Sequence, residues 1–169
     1  MNNSSNSKVM NIIYFSAFGV ILLGLAIFVL ITVFKPFDYK SMTKLKHTTI
    51  ENCLQENKNA KGKQSKYYLL VFAKDDNDNN NIEANVLEYA NYLKHHSGLK
   101  DALPIYVLEY DESMSSTLGQ ISAAAQSVDG MPLMFIVNEG AVSTTYDTCS
   151  KINQALSDAL DKLKEQSKK

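Results

Sequence analysis

Three groups of residues are of types that could do chemistry. The densest is the run Lys74-Asp75-Asp76-Asn77-Asp78-Asn79-Asn80-Asn81. Asp76, Asp78 and Asn80 alternate as the first, third and fifth ligands of an EF-hand loop do, which would make this a calcium site. That loop needs Gly at its sixth place and a bidentate Glu at its twelfth, and the chain has Asn81 and Leu87 there. Without the strongest ligand, the run reads as a solvated turn whose Asp and Asn side chains bond their own backbone and cap the next helix. No metal site is expected.

The second group is the two cysteines, Cys53 and Cys149. No C-x-x-C occurs, so dithiol and zinc-ribbon chemistry are absent from the pattern. Cys149 falls in the first turn of an expected helix, a place that favours a thiolate. It is the candidate for a single-cysteine oxidoreductase or thiol sensor, against the blander reading of a small packed hydrophobe. The third group, His47, His95 and His96, has no metal-ligand spacing. His95 and His96 precede Gly98 at a helix end, where the dipole favours a cation.

Composition narrows the classes. The 169 residues carry a net charge of -1, and every basic residue is lysine. Clustered guanidinium groups, the usual footprint of a nucleic-acid binder, are missing. No cofactor motif is present, and neither a nucleic acid nor a small-molecule cofactor is expected as a partner.

The elements that position these residues follow from periodicity. Tyr67 to Ala73 is a continuous apolar run and reads as a strand buried on both faces. Ile82, Val86, Tyr89, Ala90 and Leu93 have helical spacing, and Gly98 closes that helix. Leu103 to Tyr110 is a second strand, so strand, helix and strand make a parallel crossover. Thr49 to Asn57 is read as a helix with Ile50, Cys53 and Leu54 on one face. Ser115 or Ser116 caps another helix, with Leu118, Ile121, Ala125 and Val128 inward. Pro132 has no amide hydrogen and belongs at the start of a strand. Asn138-Glu139-Gly140 makes a three-residue hairpin loop with φ > 0 at Gly140, leading to a strand over Ala141 to Tyr146. Asp147 or Thr148 caps the last helix, whose stripe is Ile152, Leu156, Ala159 or Leu160, and Leu163.

Ahead of this domain, Ile12 to Phe34 contains no charged residue. As a helix, 23 residues reach about 34 Å, enough to cross a bilayer. The run ends at Lys35-Pro36 with no small-residue cleavage pair, so a retained anchor is favoured over a signal peptide. The resulting organisation is a disordered tail over 1–10, a transmembrane helix over 11–34, a juxtamembrane linker over 35–42, a domain over 43–164 and a tail over 165–169. Lys35, Lys40, Lys44 and Lys46 after the span favour a cytoplasmic domain by the positive-inside rule.

Val128-x-Gly130-x-Pro132, an apolar strand, Gly140 and a closing amphipathic helix, taken with the order of elements, resemble the thioredoxin fold from roughly Thr43 to Leu163. The resemblance implies an α/β domain with a thioredoxin-like mixed sheet, helices on both faces and a cis bond at Pro132. It also implies that the first and last helices lie on opposite faces, so Cys53 and Cys149 do not bridge. Where redox-active relatives carry Cys-x-x-Cys, this chain has Asp76 or Asn77 and Asn79 or Asn80, and it has no Trp. The usual chemistry is therefore withdrawn. What remains is a membrane-tethered, redox-inactive module that binds another protein or an extended peptide, or a structural subunit of a membrane complex. Met131 and Pro132 would offer backbone to the peptide, with Asp76 and Asp78 on the opposite wall. Tethered domains of this kind commonly face outward, so the resemblance favours an extracytoplasmic domain.

Overall fold

The structure is a computed structural model. It describes residues 16, 18–28, 38–56, 66–74, 76–96, 98–121 and 131–168. The chain forms two compact units, Met1–Phe37 and Asp38–Lys169.

In the first unit the described residues 18–28 are helical, and we label them α1. Eleven residues rise only about 16 Å, roughly half of a hydrocarbon core. Among the described residues no helix is long and apolar enough to cross a membrane. The expected span over 11–34 is thus not shown. Most of its other residues, like the tail over 1–10, lie outside the described residues.

The second unit is built on five strands: β1 (Lys46–His47), β2 (Tyr67–Ala73), β3 (Ile105–Tyr110), β4 (Leu133–Asn138) and β5 (Ala141–Tyr146). Its helices are α2 (Asn79–His95), α3 (Ser115–Ile121) and α4 (Cys149–Gln166), with short 3-10 turns at Met42–Lys44 and Glu112–Met114. The strand order is β1-β3-β2-β4-β5. The β1–β3 and β3–β2 pairs are parallel; β2–β4 and β4–β5 are antiparallel.

Strand β2 lies at the centre of the sheet and is buried along its length to Phe72. Its side chains alternate between two cores, as a period of two demands. Tyr68, Leu70 and Phe72 pack with Ile82, Val86 and Tyr89 of α2 and with Ile152, Leu156, Leu160 and Leu163 of α4. Tyr67, Leu69 and Val71 face the other way, with Cys53, Leu118, Met131 and Phe135. Helical cover on both faces explains why β2 reads as unbroken apolar sequence rather than alternation.

Several expectations are met. Strand β2 has the predicted bounds, β4 starts right after Pro132, and the α4 stripe is buried. The Met131–Pro132 bond is cis. Thr148 caps α4, its side chain accepting from the Lys151 amide.

Others are corrected. Residues 50–55 form successive turns, not a helix. The Tyr67 hydroxyl reaches in, donating to Cys53 O at 2.6 Å and accepting from the Glu56 amide at 3.3 Å. It takes up backbone groups that a continued helix would have bonded within itself. The cap before α3 lies upstream of Ser115, at Asp111, whose carboxylate accepts from the Ser113 amide. The hairpin loop is two residues, Glu139 and Gly140, with φ of 51° and 83°. Positive φ at both positions is the turn that matches strand twist, so a longer loop is not needed. Asp38 to Met42, read from the sequence as linker, is fastened to α2. Asn91 pairs with both backbone groups of Tyr39, and Glu83 accepts from the Met42 amide.

Candidate functional site

The end of the sheet where β2 stops and β4 begins gathers most of the predicted site residues. In the β2–β4 ladder Val71 stands opposite Leu133. Continued antiparallel by two residues, that register brings Met131 level with Ala73, just before the acidic turn. Met131 and Pro132 are both buried, Met131 to 4% exposure. The sequence reading expected their backbone to be presented to a peptide. The Met131 side chain packs in the second core with Leu118. Pro132 serves here as the fold-defining entry to β4.

The turn itself is locally satisfied. The Asp76 carboxylate accepts from the Asp78 amide at 2.9 Å, and the Asp78 carboxylate accepts from the Asn81 side chain at 3.0 Å. Each of these acids thus takes one bond within the turn. Among the described residues no group of three or more metal-ligating side chains occurs. Helix α2 starts at Asn79, three residues before the predicted Ile82, because Asn79 is pulled inward. It is 8% exposed, and its side-chain amide donates to Ala73 O. That bond ties the start of α2 to the end of β2.

Cys149 joins this corner from α4. Its thiol donates to Asp78 O at 3.7 Å, and nearby Asn153 donates to Asn81 O at 2.8 Å. The sequence placed Cys149 where a helix N-terminus would favour its thiolate. The structure reverses the balance, because burial and the Asp78 and Asp76 carboxylates push its pKa up. Such a thiol is a poor nucleophile at neutral pH. Cys53 is fully buried, and burial lifts its pKa to about 11. Both cysteines are free, and they belong to cores on opposite faces of the sheet.

His95 and His96 differ in role. His96 Nδ1 lies 2.9 Å from the Tyr92 carbonyl at the end of α2, as expected for a helix terminus. His95 instead meets the Asp38 carboxylate at 2.5 Å. His47 lies 3.0 Å from the Thr43 carbonyl.

The feature that sequence reasoning passed over is the outer edge of β5. Apart from β4, β5 pairs with no strand among the described residues. Its six residues, Ala-Val-Ser-Thr-Thr-Tyr, include no charge and no proline, two of the usual guards of an edge. A bulge at Ser143, whose hydroxyl donates to Ile136 O, leaves Thr144 to Tyr146 as the regular part. That part borders an open groove of about 540 Å³ against α4, lined by Thr145, Tyr146, Ser150, Lys151 and Gln154 among others. The signal in the sequence was the uncharged strand after Gly140, but an edge position is a property of sheet order. No protein-family model matches the chain, and no curated protein matches it.

Proposed function

We propose that this chain is a membrane-tethered module of thioredoxin-like build that holds an extended segment of another protein along β5 and performs no dithiol exchange. The observation that carries the reading is the outer edge of β5, uncharged, free of proline and unpaired on its far side among the described residues, beside its groove. Outward N–H and C=O groups on such an edge bond an added strand, and a flanking groove takes alternate side chains. The thioredoxin-like build is supported by the strand order with two antiparallel strands at one side, Pro132 at the head of β4, and α4 as the last element. The absence of exchange chemistry is supported by Asp76, Asp78 and Asn79 at the mouth of α2 and by the raised pKa of Cys149. The tether is supported by α1. Its consecutive residues Val20, Ile21, Leu22 and Leu23 are 71%, 60%, 51% and 64% exposed, which leaves an apolar helix open around its whole circumference. A helix apolar all round belongs in a core or a membrane.

The test places a photo-crosslinking residue at Thr145 in the full chain, in membranes. Adducts should form there and disappear when Thr144 is changed to Lys, a substitution that guards an edge while leaving the β4 ladder in place. Adducts that persist in Thr144→Lys, or that form only from the Asp76–Asn81 turn, would refute β5 as the contact. On this reading the domain faces away from the cytoplasm. Protease added to intact cells should then digest it, and full protection would place it inside.

A further inference from the structure

A cavity of about 420 Å³ lies between the sheet and α4, at the end remote from the acidic turn. This volume falls in the range of small-molecule sites. Tyr68, Tyr89 and Tyr146 contribute its aromatic wall, and Asp101, Asp158 and Lys162 stand at its mouth. Tyr68 is 5% exposed and lines the cavity, and its hydroxyl bonds no protein group among the described residues. Buried tyrosine hydroxyls normally find one. Its neighbour Tyr89 does, exchanging two bonds with the Leu103 backbone. The half-buried Tyr146 stands close enough to Tyr68 to raise its pKa, and its hydroxyl likewise bonds no protein group among the described residues. Two phenol groups thus line a cavity in which water or a ligand, rather than the protein, supplies their hydrogen bonds.

The charges at the mouth indicate what would fill it. Two carboxylates stand there against one ammonium, so the local field favours a cation. Asp158 accepts one bond, from Gln154 at 2.7 Å, and keeps further acceptor capacity. The wall is aromatic and aliphatic, which suits an apolar body and adds cation–π attraction for a positive head. We propose that this cavity binds a small organic ammonium with an apolar body, its nitrogen donating to the Tyr68 and Tyr146 hydroxyls and to the Asp101 or Asp158 carboxylate. The cavity adjoins the β5 groove, sharing Tyr146, Ala155 and Asp158 with it, and a small-molecule site there goes beyond the function proposed above.

The test titrates phenethylamine, 2-phenylethanol and 3-phenylpropionate into the full chain in lipid nanodiscs, followed by calorimetry. The amine should bind saturably, with the alcohol and the carboxylate each about tenfold weaker or worse, as expected when a hydrogen bond to a charged group is lost. Tyr68→Phe keeps the ring and should weaken the amine about tenfold. Asp101→Asn keeps a residue tolerant of the positive φ there, 64°, and should act likewise. Ala159→Leu, which fills the cavity from α4, should abolish binding. The proposal is overturned if the amine shows no saturable binding, if the carboxylate binds as tightly, or if Tyr68→Phe and Ala159→Leu retain wild-type affinity.

Discussion

Removing one oxygen from either of two adjacent tyrosines should have unequal consequences. Tyr68 and Tyr89 stand edge to face with ring centroids 5.7 Å apart, and both are almost fully buried. The Tyr89 hydroxyl donates to Leu103 O at 3.0 Å and accepts from the Leu103 amide at 3.2 Å. Tyr89→Phe deletes both bonds and leaves the two backbone groups of Leu103 to find water at the cavity. At about 1 kcal/mol net per bond, the cost is about 2 kcal/mol. A unit of about 130 residues unfolds with an entropy of roughly 0.27 kcal/mol/K. The melting temperature should therefore fall by about 7 °C. Tyr68→Phe removes a hydroxyl that bonds no protein group among the described residues, so its shift should lie within about 2 °C of zero. Thermal melts followed by far-UV circular dichroism, with the variants in the same nanodiscs, make the comparison. Equal losses in the two variants would mean that the Tyr68 hydroxyl has a partner after all, and the ammonium site would lose its main support.

Four further outcomes follow from particular contacts. Cys149 should react with iodoacetamide more slowly than free cysteine at pH 8, and Asp78→Asn should speed it by removing a carboxylate that disfavours the thiolate; a fast reaction in the wild-type chain would restore the thiol-enzyme reading. Cys53 is held neutral in the fold, with a pKa of about 11 against an ordinary value of 9.0. Its contribution to stability is complete below pH 9 and is lost as pH rises through 11, approaching roughly 2–3 kcal/mol. Urea melts across that window should show the decline, and Cys53→Ala should flatten it. Thr148→Ala removes the α4 cap and should cost about 1 kcal/mol in the same urea melts. Glu139→Asn places Asn-Gly in a loop whose residues both have positive φ and should stabilise by about 0.5–1 kcal/mol; an unchanged urea midpoint would mean that Glu139 is not strained.

The elements that carry their own pattern were legible in the chain. Tyr67 to Ala73 is apolar without a break because it is covered on both faces, and the Ile152-Leu156-Leu160-Leu163 stripe is the one that α4 buries. Pro132 marked the head of β4 because no interior strand position tolerates a missing amide hydrogen. Strand β1 left no such mark. Its two exposed polar residues, Lys46 and His47, are a strand only through pairing with Tyr106 and Val107 some sixty residues later. The turns over 50–55 escaped for a related reason, since the group that interrupts them is the hydroxyl of Tyr67.

The candidate site divides the same way. The missing dithiol pair was settled by residue types alone, because neither a carboxylate nor a carboxamide can exchange with a disulfide. The reactivity of Cys149 was not. The local signal, a helix N-terminus, favours the thiolate, while burial, and after it the Asp78 and Asp76 carboxylates some seventy residues away in sequence, push the pKa up. The β5 edge and the Tyr68 hydroxyl, neither of which meets a further protein partner among the described residues, are likewise facts about neighbours. Sequence determines what each residue can donate, accept or bury; the folded sheet alone decides which of those capacities is met and which is left over for a partner.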